Sequence, residues 1–182
     1  LELAFPPGFL CGVRKSVVFA KFWLPVLLWF VLIFVASKDS GSFQRSSRII
    51  GPIVKWLLPN LNEAQVGDVV FFVRKCAHAT EYAVLAWLFW RALRQHRGGR
   101  PGQWSWGVAR LAWLCATIYA ATDELHQCFV PNRQGSMLDV LLDSAGAAMG
   151  LGIIWGIGRW RGRWGQVSHK KAQRAQERIA DS

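Results

Sequence analysis

Four stretches of this chain are apolar over the length needed to cross a lipid bilayer, and they limit its architecture more than any other feature. Residues 17–36 are interrupted only by Lys21 and Pro25. Residues 69–93 surround a charged island, residues 104–122 contain a single Arg, and residues 138–158 contain two Asp. About 20 helical residues cross roughly 30 Å of hydrocarbon, so each stretch is read as one transmembrane helix. The first has a second reading as a signal peptide, because Arg14 and Lys15 precede it and Val35-Ala36-Ser37 resembles a cleavage site. Its length favours an uncleaved span.

Composition agrees. The 182 residues are 52% hydrophobic with 11 Trp, high for a soluble domain of this size. The net charge of +11 invites a nucleic-acid partner, but its distribution argues for none. Arg14, Lys15 and Lys21 flank the first span, and Arg91, Arg94, Arg97 and Arg100 fill the link between the second and third. Arg159, Arg161, Arg163, Lys170, Lys171, Arg174 and Arg178 follow the fourth. If the spans alternate, all three groups fall on one side, which the positive-inside rule makes cytoplasmic. The expected fold is therefore an all-α, four-helix transmembrane bundle with both termini cytoplasmic. It comprises an N-terminal segment 1–16, a membrane domain 17–158 and a basic tail 159–182, placed in the bacterial cytoplasmic membrane. The surplus charge also draws anionic lipid head groups.

The outer link between the first two spans holds "RIIGPIVKWLLP", too short to span and interrupted by Gly51-Pro52. It is expected along the outer interface or folded over the bundle. Asn62 with Gln65, and Ser136 with Asp139, have capping-box spacing. Cys11, Cys76, Cys115 and Cys128 lack paired metal spacing and read as buried, inert thiols.

With this topology, three segments deliver polar residues to one depth. Arg74, Lys75, His78, Glu81 and Tyr82 occupy the outer half of the second span. Tyr119, Asp123, Glu124, His126 and Gln127 end the third, and Asp139 and Asp143 open the fourth, just beyond Arg133 and Ser136. Helical spacing puts Lys75, His78 and Tyr82 on one face, Tyr119, Asp123 and His126 on another, and Asp139, Asp143, Gly146 and Gly150 in one stripe. The glycines permit close helix contact. A charge at mid-bilayer costs on the order of 3 kcal/mol, so these groups should face one another or a wet cavity. Taken singly, each has a structural explanation: Lys75 or Arg74 neutralising Asp139 or Asp143, His78 bonded to Tyr119, Asp123 capping a helix end. Taken together, they read better as a polar pocket. Two His and several carboxylates offer an N/O ligand set, but no tight His pair exists and Lys75 and Arg133 add positive charge, so no metal site is assigned.

"RKCAHATEYAVL" (74–85) and "YAATDELHQCFVPNRQGSMLDVLLDSAGAAMG" (119–150) resemble the VanZ-like family of small bacterial membrane proteins. The first matches that family's K-x-x-H-x-x-x-Y-x-x-L pattern. The second matches D-E-x-H-Q-x-F-x-P-x-R, followed by S-x-x-D-x-x-x-N and G-x-x-x-G. Asn132 stands where Gly is usual, and Asp143 where Asn is usual. The resemblance implies a link with lowered sensitivity to teicoplanin, the property associated with the founding member.

Two functional readings follow. In the first, a pocket open to the outer leaflet recognises an anionic envelope lipid or cell-wall precursor. Lys75 and Arg133 hold its phosphate or carboxylate, and Tyr82, Tyr119, Gln127, Ser136 and Asp143 add contacts. In the second, the protein is an intramembrane hydrolase or transferase on the same substrate class. His78 or His126 then serves as general acid/base beside Glu81, Asp123, Glu124 or Asp139. A transporter fits less well, since four spans without repeats offer little machinery for alternating access. The sequence assigns no cofactor.

Overall fold

The computed structural model describes residues 7–37, 42–96, 103–129 and 135–164, with side chains from Val18 in the first segment and from Arg48 in the second. These residues form five helices: α1 (Pro7–Ser37), α2 (Ser42–Leu57), α3 (Glu63–His96), α4 (Trp106–Gln127) and α5 (Met137–Trp160). Among the described residues there is no strand.

Helix α3 is the hub, touching each of the other four. Its start is set by a reciprocal capping box. The Asn62 N–H donates to Gln65 Oε1, and the Gln65 N–H donates to Asn62 Oδ1, both at 2.9 Å. Gly146 and Gly150 of α5 lie on the backbones of Ala79 and Ala83 of α3. Because these matched positions rise together in number, and Lys75 pairs with Asp139 one step earlier, α3 and α5 run parallel. Helix α1 runs the other way, joining Arg91 to the Lys21 carbonyl at one end and Trp29 to the Glu81 carbonyl further along. Helix α4 runs alongside α1: Tyr119 meets Phe30, and Asp123 meets Ser37. Directions therefore alternate through α1, α3, α4 and α5. The core between them gathers Val26, Ile33, Tyr82, Leu85, Phe89 and a small-residue stripe of Ala109, Ala112, Ala116 and Ala120.

The two ends of the bundle differ in chemistry. One collects indoles and arginines. Trp90, Trp104 and Trp164 cluster at 5.2–6.0 Å between ring centroids, Trp90 stacked on Trp104 and edge-on to Trp164, and the Arg94 guanidinium lies over Trp90 and Trp164. The opposite end holds Ser37, Lys75, Glu81, Asp123, Asp139 and Asp143. Between them the outer faces are apolar, with Leu24, Leu28, Val31, Phe72, Leu114, Ile118, Leu141 and Ile153 all exposed. So much apolar surface calls for a non-aqueous surround. Val18–Ser37 within α1 and the whole of α5 are long and apolar enough to cross a membrane. These two helices and the apolar outer faces mark a membrane protein.

Three expectations need correction. The Gly51-Pro52 pair does not interrupt the outer segment: α2 is continuous through it. Packing against α3 outweighs the missing Pro52 donor, with Ile50 and Val54 joining Val66 and Val70 in a small second core. An ion pair between Lys55 and Glu63 ties the α2 end to the α3 start. The Ser136–Asp139 capping box is not formed by side chains. Glu124 instead accepts the Ser136 backbone N–H at 2.9 Å, and Asp139 turns to Lys75. Cys76 and Cys128 are exposed rather than buried, Cys76 on an outward face within α3 and Cys128 at the cap that ends α4; Cys115 is half-buried.

Candidate functional site

Asp123 is the centre of the polar end. It is one turn from the end of α4, 5% exposed, and its Oδ2 accepts three hydrogen bonds from three helices. Ser37 Oγ donates from α1 at 2.8 Å, Tyr82 OH from α3 at 3.4 Å, and Gln127 Nε2 from its own helix at 3.2 Å. All three donors are neutral. The other oxygen, Oδ1, is buried with no partner among the described residues. A buried polar atom without a partner costs about 1–3 kcal/mol, and more when charged.

Asp143 is the second buried acid. It stands on α5 one turn before Gly146, is 3% exposed, and its Oδ1 is likewise without a partner. Its position follows from the glycines. A Cβ on Gly146 would stand 2.4 Å from the Ala79 carbonyl oxygen, so the α3 and α5 backbones touch there. Asp143 is thereby pressed into the bundle, where it faces the negative field of Glu124, Asp139, Asp123 and Glu81.

At the rim, Lys75 and Asp139 form an ion pair, with side chains 27% and 29% exposed. Phe71, one turn before Lys75, places its ring 5.2 Å from the ammonium. His78 Nδ1 lies 3.6 Å from Glu81 Oε2 on the same helix, and both are half-buried. Glu81 also lends its backbone carbonyl to the Trp29 indole N–H at 3.0 Å.

The residues singled out in the sequence thus divide. Lys75, Tyr82, Asp123, Gln127, Asp139 and Asp143 lie in the cluster, with the His78–Glu81 pair beside it. Glu124 and Ser136 bond each other at the α4–α5 junction. His126 packs its ring 4.9 Å from Phe34, and its Nε2 is buried without a partner among the described residues. Tyr119 is spoken for, donating to the Phe30 carbonyl at 2.9 Å and stacking on the Phe30 ring at 4.2 Å. His78 therefore faces Glu81 rather than Tyr119. Arg133 and Asn132 lie outside the described residues. Among the described residues no three His, Cys, Asp or Glu side chains are disposed to hold a metal ion.

One participant escaped sequence reasoning. Ser37 is buried and closes the cluster from α1. A hydroxyl at the end of an apolar helix was the available signal, but its resemblance to a cleavage motif masked it.

Fold and site together define a helical membrane protein with an acid-rich polar cluster buried at one end of its bundle. The family model described as VanZ/LLP1 matches residues 22–159, and the chain belongs to that family. No curated relative and no solved structure shows a match.

Proposed function

We propose that the chain crosses the bacterial cytoplasmic membrane four times, through α1, α3, α4 and α5, with both termini in the cytoplasm. Its polar end then lies toward the outer leaflet and recognises the anionic head group of an envelope lipid or lipid-linked cell-wall precursor. Alternating helix directions support the four crossings, and the arginines at the indole-rich end support the orientation. Helix α2, with Trp56 80% exposed beside Ile53 and Leu57, then rests in the outer interface.

The observation that carries the reading is the convergence of polar groups from four helices on one buried end of an apolar bundle. Structural pairing needs only Lys75 and Asp139. The unfilled oxygens of Asp123 and Asp143 go beyond it, and ligand-free burial would only destabilise them. Lys75, with Arg133 from the adjoining link, supplies cations for a phosphate or carboxylate. A part in glycopeptide resistance belongs to this proposal through a cell-wall precursor as ligand.

Native mass spectrometry of the protein released from inner membranes tests the reading directly. A head-group-specific lipid should remain bound, and a lipid complement identical to that of bulk membrane would overturn it. The His78–Glu81 pair favours a second reading, acid–base hydrolysis or transfer on the same substrate. Turnover of a lipid-linked substrate that is lost in His78→Gln would establish that one.

A further inference from the structure

The cluster lacks two things, and one chemical group supplies both. Asp123 Oδ1 and Asp143 Oδ1 are buried acceptors without donors among the described residues. Charge is also out of balance. Glu81, Asp123, Glu124, Asp139 and Asp143 gather at this end, while Lys75 is engaged by Asp139. The other titratable groups near this end are Arg74, next to Lys75 along α3, His78 beside Glu81, and His126 against Phe34. The donors that do reach Asp123, from Ser37, Tyr82 and Gln127, are uncharged and all fall on its Oδ2. Hydroxyl-rich ligands would fill the open oxygens but leave the charge. A metal ion would need ligands in a set that the described side chains do not form. A guanidinium is rigid and planar, so it holds two carboxylates only where both lie in its plane. An ammonium offers three N–H donors at tetrahedral angles, suited to two carboxylates on separate helices.

We infer that Asp123 and Asp143 together bind a primary ammonium group, carried by the head group whose anionic part lies toward Lys75. This inference rests on the head-group reading above and names the group that reading leaves open. An aminophospholipid has both charges on one head group, a few bonds apart. A soluble primary amine presents the same ammonium from a different source.

The full chain is reconstituted in nanodiscs of phosphatidylglycerol mixed with either phosphatidylethanolamine or phosphatidylcholine of the same acyl chains. The two head groups carry equal charge, but only ethanolamine has N–H donors. Melting should occur ~5 °C higher with phosphatidylethanolamine, the shift expected for a ligand well above its dissociation constant. Asp143→Asn keeps the shape and removes one buried charge. It should melt higher than wild type in phosphatidylcholine discs and show no difference between the two lipids. Ethanolamine added to phosphatidylcholine discs tells the sources apart. If it reproduces the shift, the ammonium site stands and its natural ligand is soluble. Equal melting of the wild type in all three conditions would overturn the inference, as would a lipid difference that persists in Asp143→Asn. Native mass spectrometry of the same wild-type sample separates the two proposals. Selective retention of phosphatidylglycerol keeps the head-group reading and rejects the ammonium, and no selective retention rejects both.

Discussion

Gly146 is the position where one added carbon should move the most structure. Its Cβ would stand 2.4 Å from the Ala79 carbonyl oxygen, 2.7 Å from Ala79 Cα and 2.9 Å from the carbonyl carbon. Carbon–oxygen contacts of this kind normally settle at about 3.3–3.6 Å, so Gly146→Ala must push α5 from α3 by about 1 Å. The obstacle is backbone on both sides, so no side chain can rotate away. Overpacking of this kind costs about 1–3 kcal/mol, and Ala in place of Gly within a helix returns about 0.5–1 kcal/mol. The net loss should be about 1–2 kcal/mol. Gly150 is tight as well, with its Cβ 2.7 Å from the Ala83 Cβ and 2.9 Å from its Cα. Once α5 has moved for one alanine the second is partly accommodated, so the double variant should lose less than the sum. Thermal unfolding in detergent of the two single variants and the double variant measures this. The same movement draws Asp143 away from α3, so ligand retention should fall alongside stability. A Gly146→Ala protein as stable as wild type would refute the close approach, and with it the account of why Asp143 is buried.

Three further outcomes are expected. Lys75→Met strands Asp139 and should cost about 2 kcal/mol, less than the 3–5 of a fully buried pair because both side chains are about a quarter exposed. Adding Asp139→Asn should recover most of that loss in detergent unfolding, without restoring ligand binding; a double variant no more stable than Lys75→Met would count against the pair. Tyr82→Phe removes one of three donors to Asp123 and should cost about 1 kcal/mol by the same assay, whereas a neutral result would mean that Ser37 and Gln127 alone hold the carboxylate. With the native cysteines replaced by Ser, cysteines placed at Ser42 and Asn132 should react with an impermeant thiol reagent from outside intact cells and one at Gly99 should not, with labelling of Gly99 reversing the orientation.

Several elements of this molecule were fixed by local sequence alone. Four long apolar runs gave the helices α1, α3, α4 and α5, because length and composition within one segment already favour a helix there. The Asn62–Gln65 box placed the start of α3, since both hydrogen bonds close within one turn. The Gly146–Gly150 spacing marked the contact face of α5, and the periodicity of Lys75, His78 and Tyr82 marked the polar face of α3. Alternation of helix direction was enough to bring three polar segments to one end.

Partners were another matter. Asp139 and Asp143 are one turn apart and both lay within reach of Lys75 in the sequence reading. Only the register of α5 on α3, set where Gly146 and Gly150 meet Ala79 and Ala83, gave Lys75 to Asp139 and left Asp143 buried. Tyr119 was a plausible partner for His78 until packing against α1 turned its hydroxyl to Phe30. Ser37, almost ninety residues before Asp123, had no local reason to be part of the cluster. Likewise α2 bridges its Gly-Pro pair because α3 offers it an apolar surface, not because its own residues demand a helix. Helical period and capping are properties of neighbours along the chain, so sequence displays them. The rotation and register of each helix depend on contacts between segments far apart in the chain, and these exist only once the bundle has packed.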